Sequence, residues 1–238
     1  MFSGHRRLSS SPACFSAPQV RACKMVRAIL EGRKTQTRRP ITKILGVGKI
    51  SGLGRTYAPG YDWEARDSRS LWHNLTDKEL LERCPLGQPG DRLWVRETWR
   101  CWFPLLEDGQ PQDDNWHCRY RADGLEQRTD AEWGSDDSPQ ECGVDTEGEK
   151  WRPSIHMPRW ASRITLNIVD IRVERLWDIR TIGCLTEGFK LRGMNPFDRA
   201  NNAITDFRES WDAIYENWDD NPWVWVIEFE RCREGSDE

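Results

Sequence analysis

Apolar positions along the chain fall into a few phased stretches separated by polar ones. Between Ala17 and Leu30, the residues Val20, Cys23, Val26, Ala28, Ile29 and Leu30 recur at helical spacing. That period predicts a helix, with Ser16 and Pro18 at its start and Gly32 as its stop. Leu75 to Cys84 predicts a short helix in which Thr76 is the cap and Glu79 completes a capping box. In CPLGQPGDRLWVRETW, Pro-Gly-Asp reads as a turn and Arg92 to Trp99 as a strand. Trp116 to Ala122 is a second strand candidate. Ser162 to Leu176 alternates at Ile164, Leu166, Ile168, Ile171 and Val173, and its phase slips near Val169 and Asp170, as at a bulge or bend. Thr181 to Phe189 contains a short helix ending before Gly188. Ala203 to Tyr215 is amphipathic, with Ile204, Phe207, Trp211 and Ile214 on one face. The last stretch, NPWVWVIEFERC, is a strand: Trp223, Trp225, Ile227 and Phe229 face one side, and Val224, Val226 and Glu228 the other.

Three stretches lack a period. Ile41 to Arg69 is rich in glycine and polar residues and reads as a long loop or insertion. Its glycines do not form a P-loop, because no GK[ST] ending follows. Gly124 to Lys150 carries Asp130, Glu132, Asp136, Asp137, Glu141, Asp145, Glu147 and Glu149, and reads as a solvated acidic insertion. The prolines of WRPSIHMPRWASRI predict a fixed, irregular crossing. The order is helix, strands, helix, strands, with no βαβ alternation and no repeat. It predicts an α+β fold built on a mostly antiparallel curved sheet or small barrel. One domain is expected over residues 15–233, with insertions at about 41–70 and 124–150. A disordered leader, 1–14, precedes it and a tail, 234–238, follows.

Composition narrows the function classes. The chain has 238 residues and a net charge of -4, a pI near 5.7 and a mean hydropathy of -0.80. It is not globally basic, so contact with nucleic acid has to come from a local patch. No apolar run approaches the ~18 residues of a membrane helix. The fourteen tryptophans supply large buried area to an otherwise polar chain, and most are expected in the core. Two or three of them are candidates for a base-stacking surface. The eight cysteines are scattered without a CxxC, and the four histidines form no HxxxH. A zinc site from Cys84, His117 and Cys118 can be drawn, although nothing in the spacing demands it; free thiols are the simpler reading. The first eighteen residues are Arg- and Ser-rich without acids and weakly resemble a transit peptide, but lack the apolar core of a secretory signal. Met25 is an alternative start that would discard the strand-like ACFS. The reading is a cytoplasmic protein.

The chemically suggestive stretch is GRKTQTRRP, Gly32 to Pro40. It sets Arg33, Lys34, Arg38 and Arg39 around two threonines directly after a helix. Together with PGDRLWVRETW, a short helix reading TEGF and the terminal PWVWVIEF, it resembles the ASCH domain. The blocks MVRAILEGRKTQTRR, CPLGQPGDRLWVRETW, WRPSIHMPRWASRI and NPWVWVIEF resemble phage and prophage ASCH-type proteins in particular. The blocks cover about half the chain; both insertions fall outside them.

The resemblance implies a PUA-like β-barrel with short flanking helices. One small bacterial branch of the family hydrolyses the acetyl amide of N4-acetylcytidine, using a Lys and the second Thr of the GRKT-x-T-x-R segment and a Glu from the helix after the central strands. On this chain these positions are Lys34, Thr37 and Glu187. Such chemistry needs an activated nucleophile, a proton shuttle and oxyanion stabilisation. Lys34 can serve as base if its pKa is lowered, which burial beside Arg33, Arg38 and Arg39 would do. Thr37, or a water it orients, is then the nucleophile, and Glu187 holds the amine or protonates the leaving group. One geometric objection stands: in an ideal strand Lys34 and Thr37 face opposite sides, so a bend after Gly32 is required. Arg96 and Glu97 either pair across a strand or line the pocket. Arg159, Trp160 and Arg163 either contact a base or phosphate or pack within the crossing. No cofactor or metal is expected. The expected partner is a modified nucleoside or a single-stranded nucleic acid, with oligomeric state left open. The rival readings are a non-catalytic RNA- or DNA-binding module, and a phage accessory protein acting through protein contacts.

Overall fold

The computed structural model describes residues 19–102, 115–132 and 151–232, with no side chains described at 19–22, 102 and 130–132. Helix α1 (Gln19–Leu30) leads into strand β1 (Gln36–Pro40). A meander follows: β2 (Lys43–Ile44), β3 (Gly48–Arg55), β4 (Trp63–Asp67) and β5 (Trp72–Leu75), then helix α2 (Asp77–Glu82). Strand β6 (Arg92–Trp94) precedes a second antiparallel meander, β7 (Trp99–Trp102), β8 (Asn115–Tyr120) and β9 (Glu126–Glu132). After an irregular crossing come the long strand β10 (Thr165–Arg175), helices α3 (Thr181–Thr186) and α4 (Pro196–Tyr215), and strand β11 (Trp223–Arg231).

These strands form three antiparallel sheets in a curled, half-barrel arrangement. Their orders are β1-β11-β10-β6, β2-β3-β4-β5 and β7-β8-β9. The fold is thus mixed helix and sheet and mostly antiparallel, as its alternating stretches predict. The bulge in β10 lies between Ile168 and Asp170, where the hydrophobic phase slips. The Thr76 cap is present in full: its hydroxyl accepts from Glu79 N, and the Glu79 carboxylate accepts from Thr76 N.

Strand β11 is apolar on both sides because it divides two cores. Trp225, Ile227 and Phe229 join Val26, Ile29, Ile44, Trp63 and Leu80 in the first. Val224 and Val226 face Leu176, Phe207, Trp211 and Trp218 in the second. A third, smaller core gathers Trp99, Trp116, Tyr120 and Met157 beneath the β7-β8-β9 sheet. Most of the buried tryptophans are therefore core residues.

Three expectations are corrected. Residues 41–70 are not a loop: they form most of the β2–β5 meander, and Ile44, Trp63 and Ala65 are buried. Gly46, Gly48 and Gly60 adopt positive φ there, and these turn glycines break the alternation that would have announced the strands. The stretch Arg92–Trp99 is not one strand. β6 pairs with β10 and β7 with β8, so the chain changes sheets between Trp94 and Trp99. The acidic stretch begins with a strand, β9, tied to β8 by the Thr129 hydroxyl on Trp116 O. Residues 133–150, like the leader with its ACFS and the tail beyond 232, lie outside the described residues.

The WRPSIHMPRW segment is irregular, as its prolines dictate, with single 3₁₀ turns at Ser154–His156 and Arg159–Ala161. Among the described residues no helix is long and apolar enough to cross a membrane.

Candidate functional site

The site is built where the ends of α1 and α3 meet the edge of the first sheet. α1 stops at Gly32, whose φ of 70° takes the chain out of helix; Arg33 N and Lys34 N both donate to Ala28 O. The chain then forms an isolated antiparallel bridge between Lys34 and Glu187, and Thr35 N donates to Thr186 O at 2.8 Å. β1 starts only at Gln36 and pairs with β11, placing Thr37 opposite Ile227 and Arg38 opposite Val226. This answers the objection about facing. Lys34 precedes the regular strand, and its long side chain folds back so that Nζ donates to Gln36 O at 2.9 Å.

Glu187 caps α3 and is followed by Gly188 at φ 97°. A Cβ on Gly188 would lie 2.8 Å from Ala28 Cβ and 3.1 Å from Lys34 Cβ. Only glycine lets the two helix ends approach this closely. The approach brings Lys34 Nζ to 2.7 Å from Glu187 Oε2 and 3.0 Å from the Glu187 carbonyl. Both side chains are almost fully buried, 4% and 5% exposed. Arg38 Nη1 lies 3.4 Å from Glu187 Oε1, while its Nη2 donates to Glu174 on β10 at 2.9 Å. The Arg38 Nε is buried without a partner among the described residues.

Burial pulls the Lys34 pKa down. The Glu187 carboxylate opposes that shift, and Arg39 and Arg38 add to it. Lys34 is thus a buried amine held against a carboxylate, not a solvated surface cation.

Lys34, Thr37, Arg38, Arg39, Arg96 and Glu187 all line one cavity of about 90 Å³. Its remaining walls are largely apolar and aromatic: Val26 and Ile29 from α1, Phe189, and Phe207, Trp211 and Ile214 from α4. Tyr215, at the end of α4, accepts from Arg39 Nη1 at 2.6 Å and so fixes the guanidinium at the rim. The Thr37 side chain is buried and makes no hydrogen bond among the described residues, which leaves its hydroxyl unengaged. Arg96 stacks on Trp94, 4.6 Å from the ring centre, and donates to Ile155 O, joining the irregular crossing to the cavity mouth.

Of the eleven residues singled out from the sequence, six therefore come together. Arg33 lies outside the cavity, bonded to Glu31 and to Gly188 O. Glu97 and Arg163 form a separate buried pair, with Arg163 also on Asp123 and over the Tyr120 ring. Burial raises the Glu97 pKa, and Arg163 opposes it. Trp160 packs edge-on against Trp99 at 5.6 Å, and Arg159 is exposed beside Ser162 and Thr165. These four belong to the architecture of the crossing. Cys84 and Cys118 sit in different cores, so the zinc site that can be drawn from sequence has no geometric basis.

Sequence reasoning missed the apolar walls from α1, Phe189 and, above all, α4. On the apolar face of α4, Phe207 and Trp211 do double duty as core and cavity wall, and Ile214 lines the cavity beside them. Tyr215, at the helix end, carried no pattern to mark it. Comparison of the chain with family models, with curated proteins and with solved structures finds no match in any of the three.

Proposed function

We propose that the chain is a PUA-like, ASCH-type protein that takes the base of a nucleoside into the β1 cavity and hydrolyses an N4-acyl amide on a modified cytidine. The observation that carries the reading is the buried Lys34–Glu187 contact inside an aromatic-walled cavity that also holds an unengaged Thr37. The amine, hydroxyl and carboxylate can supply the base, the nucleophile and the proton relay of an amide hydrolysis.

In this mechanism Lys34 first passes a proton to the Glu187 carboxylate it contacts, and the amine so freed accepts the proton of the Thr37 hydroxyl, or of a water oriented by it. The freed oxygen attacks the acyl carbon. The oxyanion that forms is stabilised by the guanidinium groups at the rim, Arg39 and Arg96. Collapse expels the exocyclic amine, which takes a proton relayed through Lys34 and Glu187. If Thr37 is acylated, a water repeats the sequence and releases the carboxylic acid. Phe207 and Trp211 offer flat apolar surface to a pyrimidine ring. The lowered Lys34 pKa supports the role of base, because a lysine at its ordinary pKa is protonated at neutral pH.

The test is hydrolysis of N4-acetylcytidine, followed by chromatography, by the wild type beside Lys34→Ala and Thr37→Ala. Turnover by the wild type, reduced by about 10²-fold or more in each variant, is expected. A folded wild-type protein without turnover would refute N4-acetylcytidine as substrate and leave a binding module as the better account.

A further inference from the structure

Beside the cavity lies a second concavity of about 490 Å³, and the two share Met25, Phe189 and Ser210 as walls. Five cations line this groove: Lys24 and Arg27 from α1, Arg33, and Lys190 and Arg192 from the segment after Glu187. Three acids also line it, Glu31, Asp206 and Glu209. Glu31 pairs with Arg33 and Asp206 with Arg192. Lys24 and Lys190 are exposed and make no ion pair among the described residues. In a chain of net charge -4, a groove with five cations and three acids is a local reversal of sign.

We propose that this groove binds a phosphate ester attached to the ribose of the nucleoside whose base occupies the cavity, so that the ligand is a nucleotide rather than a free nucleoside. The inference rests on the cavity reading above and adds the chemical class of what it takes. Lys190 stands three residues after Glu187, and Lys24 stands on the helix whose other turns wall the cavity. Lys24 is therefore carried on α1, and Lys190 on the segment that leaves α3 just after Glu187, so both cations flank the Lys34–Glu187 contact. Arg33 is already oriented into the groove by the Gly188 carbonyl. Because the lysines remain solvated, their attraction for phosphate is modest and falls with salt.

The test is an equilibrium titration followed by tryptophan fluorescence, for which Trp211 in the cavity wall is the reporter. Wild type and Lys24→Ala/Lys190→Ala are each titrated with cytidine, cytidine 5′-monophosphate and a short oligocytidylate, at low and moderate salt. The expected result is that the monophosphate binds about tenfold more tightly than cytidine at low salt, with the advantage shrinking as salt rises. In the double variant the ratio falls toward one. Both substitutions are on the surface, so folding is not at stake. If the oligocytidylate binds more tightly still, the phosphates come from a polymer; if it matches the monophosphate, a free nucleotide suffices. Equal binding of cytidine and its monophosphate overturns the groove while leaving the cavity reading intact. Binding of none of the three overturns both, and a preference that survives in the double variant overturns the assignment of Lys24 and Lys190.

Discussion

Replacing Glu187 by Gln tests the centre of the site without depending on any substrate. The change keeps the shape of the side chain but removes the charge that Lys34 contacts at 2.7 Å. At that distance, with the effective dielectric near 20 that suits protein sites, the attraction being removed is about 6 kcal/mol. Desolvation of both groups offsets part of it in the wild type, but the variant keeps the burial of Lys34 without the partner. The loss also has a ceiling, because the amine can shed its proton. Neutralising a group with an ordinary pKa of 10.5 at pH 7 costs about 5 kcal/mol. The expected loss of unfolding free energy at pH 7 is therefore about 3–5 kcal/mol.

The pH dependence follows from the same numbers. The folded-state pKa of Lys34 lies below its unfolded value, and removing Glu187 takes away its largest upward influence. Between the two values the unfolded chain binds more protons, so stability rises with pH, by up to about 1.4 kcal/mol per unit. Across the window that the variant opens below the wild-type pKa, it regains stability faster than the wild type, and the deficit narrows. The assay is urea unfolding followed by tryptophan fluorescence at pH 7, 8 and 9 for the wild type, Glu187→Gln and Lys34→Met/Glu187→Gln. The double variant should recover much of the loss, since it removes the stranded amine as well. A deficit below about 1 kcal/mol at pH 7, or one that the double variant does not relieve, would refute the view that Glu187 compensates a buried Lys34.

Two further outcomes test the scaffold. Gly188→Ala places a methyl group 2.8 Å from Ala28 Cβ at a φ of 97°, and should cost about 2–4 kcal/mol in thermal or urea unfolding while separating Lys34 from Glu187. Thr76→Ala removes both hydroxyl contacts of the α2 capping box and should cost about 1 kcal/mol while leaving the distant cavity unaltered, as measured by the same unfolding assay beside ligand titration.

Where local rules and tertiary demands agree, the chain announces its structure. The Thr76–Glu79 box, the β10 bulge and the two-faced apolar pattern of β11 are each visible as patterns and present as structure. The β2–β5 meander is invisible because its strands carry glycines and outward-facing polar residues, and are held by pairing rather than by their own alternation. The switch of sheets after Trp94 is invisible because WVRETW keeps a strand-like composition throughout, while its hydrogen bonds go to different partners. For the site, the clustered cations of GRKTQTRR draw attention to Arg38 and Arg39, while Lys34, Thr37 and Glu187 are singled out by the resemblance to ASCH blocks. What it could not convey is that Arg33 points away toward Gly188 O, or that α4 supplies the aromatic wall. Arg163 looked like a ligand contact for the same reason that it is a good structural residue: a guanidinium fork fits the carboxylates of Glu97 and Asp123 as readily as it would fit a phosphate.

Strand β1 sits at the edge of its sheet, and its one strand partner there is β11, from the far end of the described chain. That pairing sets an order of events during synthesis. Lys34 and Thr37 leave the ribosome well before the strand that holds β1 in place. The helix that walls the cavity also arrives late. A nascent chain interrupted anywhere before β11 carries the GRKT residues without the strand that pairs with β1, so the arrangement around Lys34 comes into being only as β11 docks.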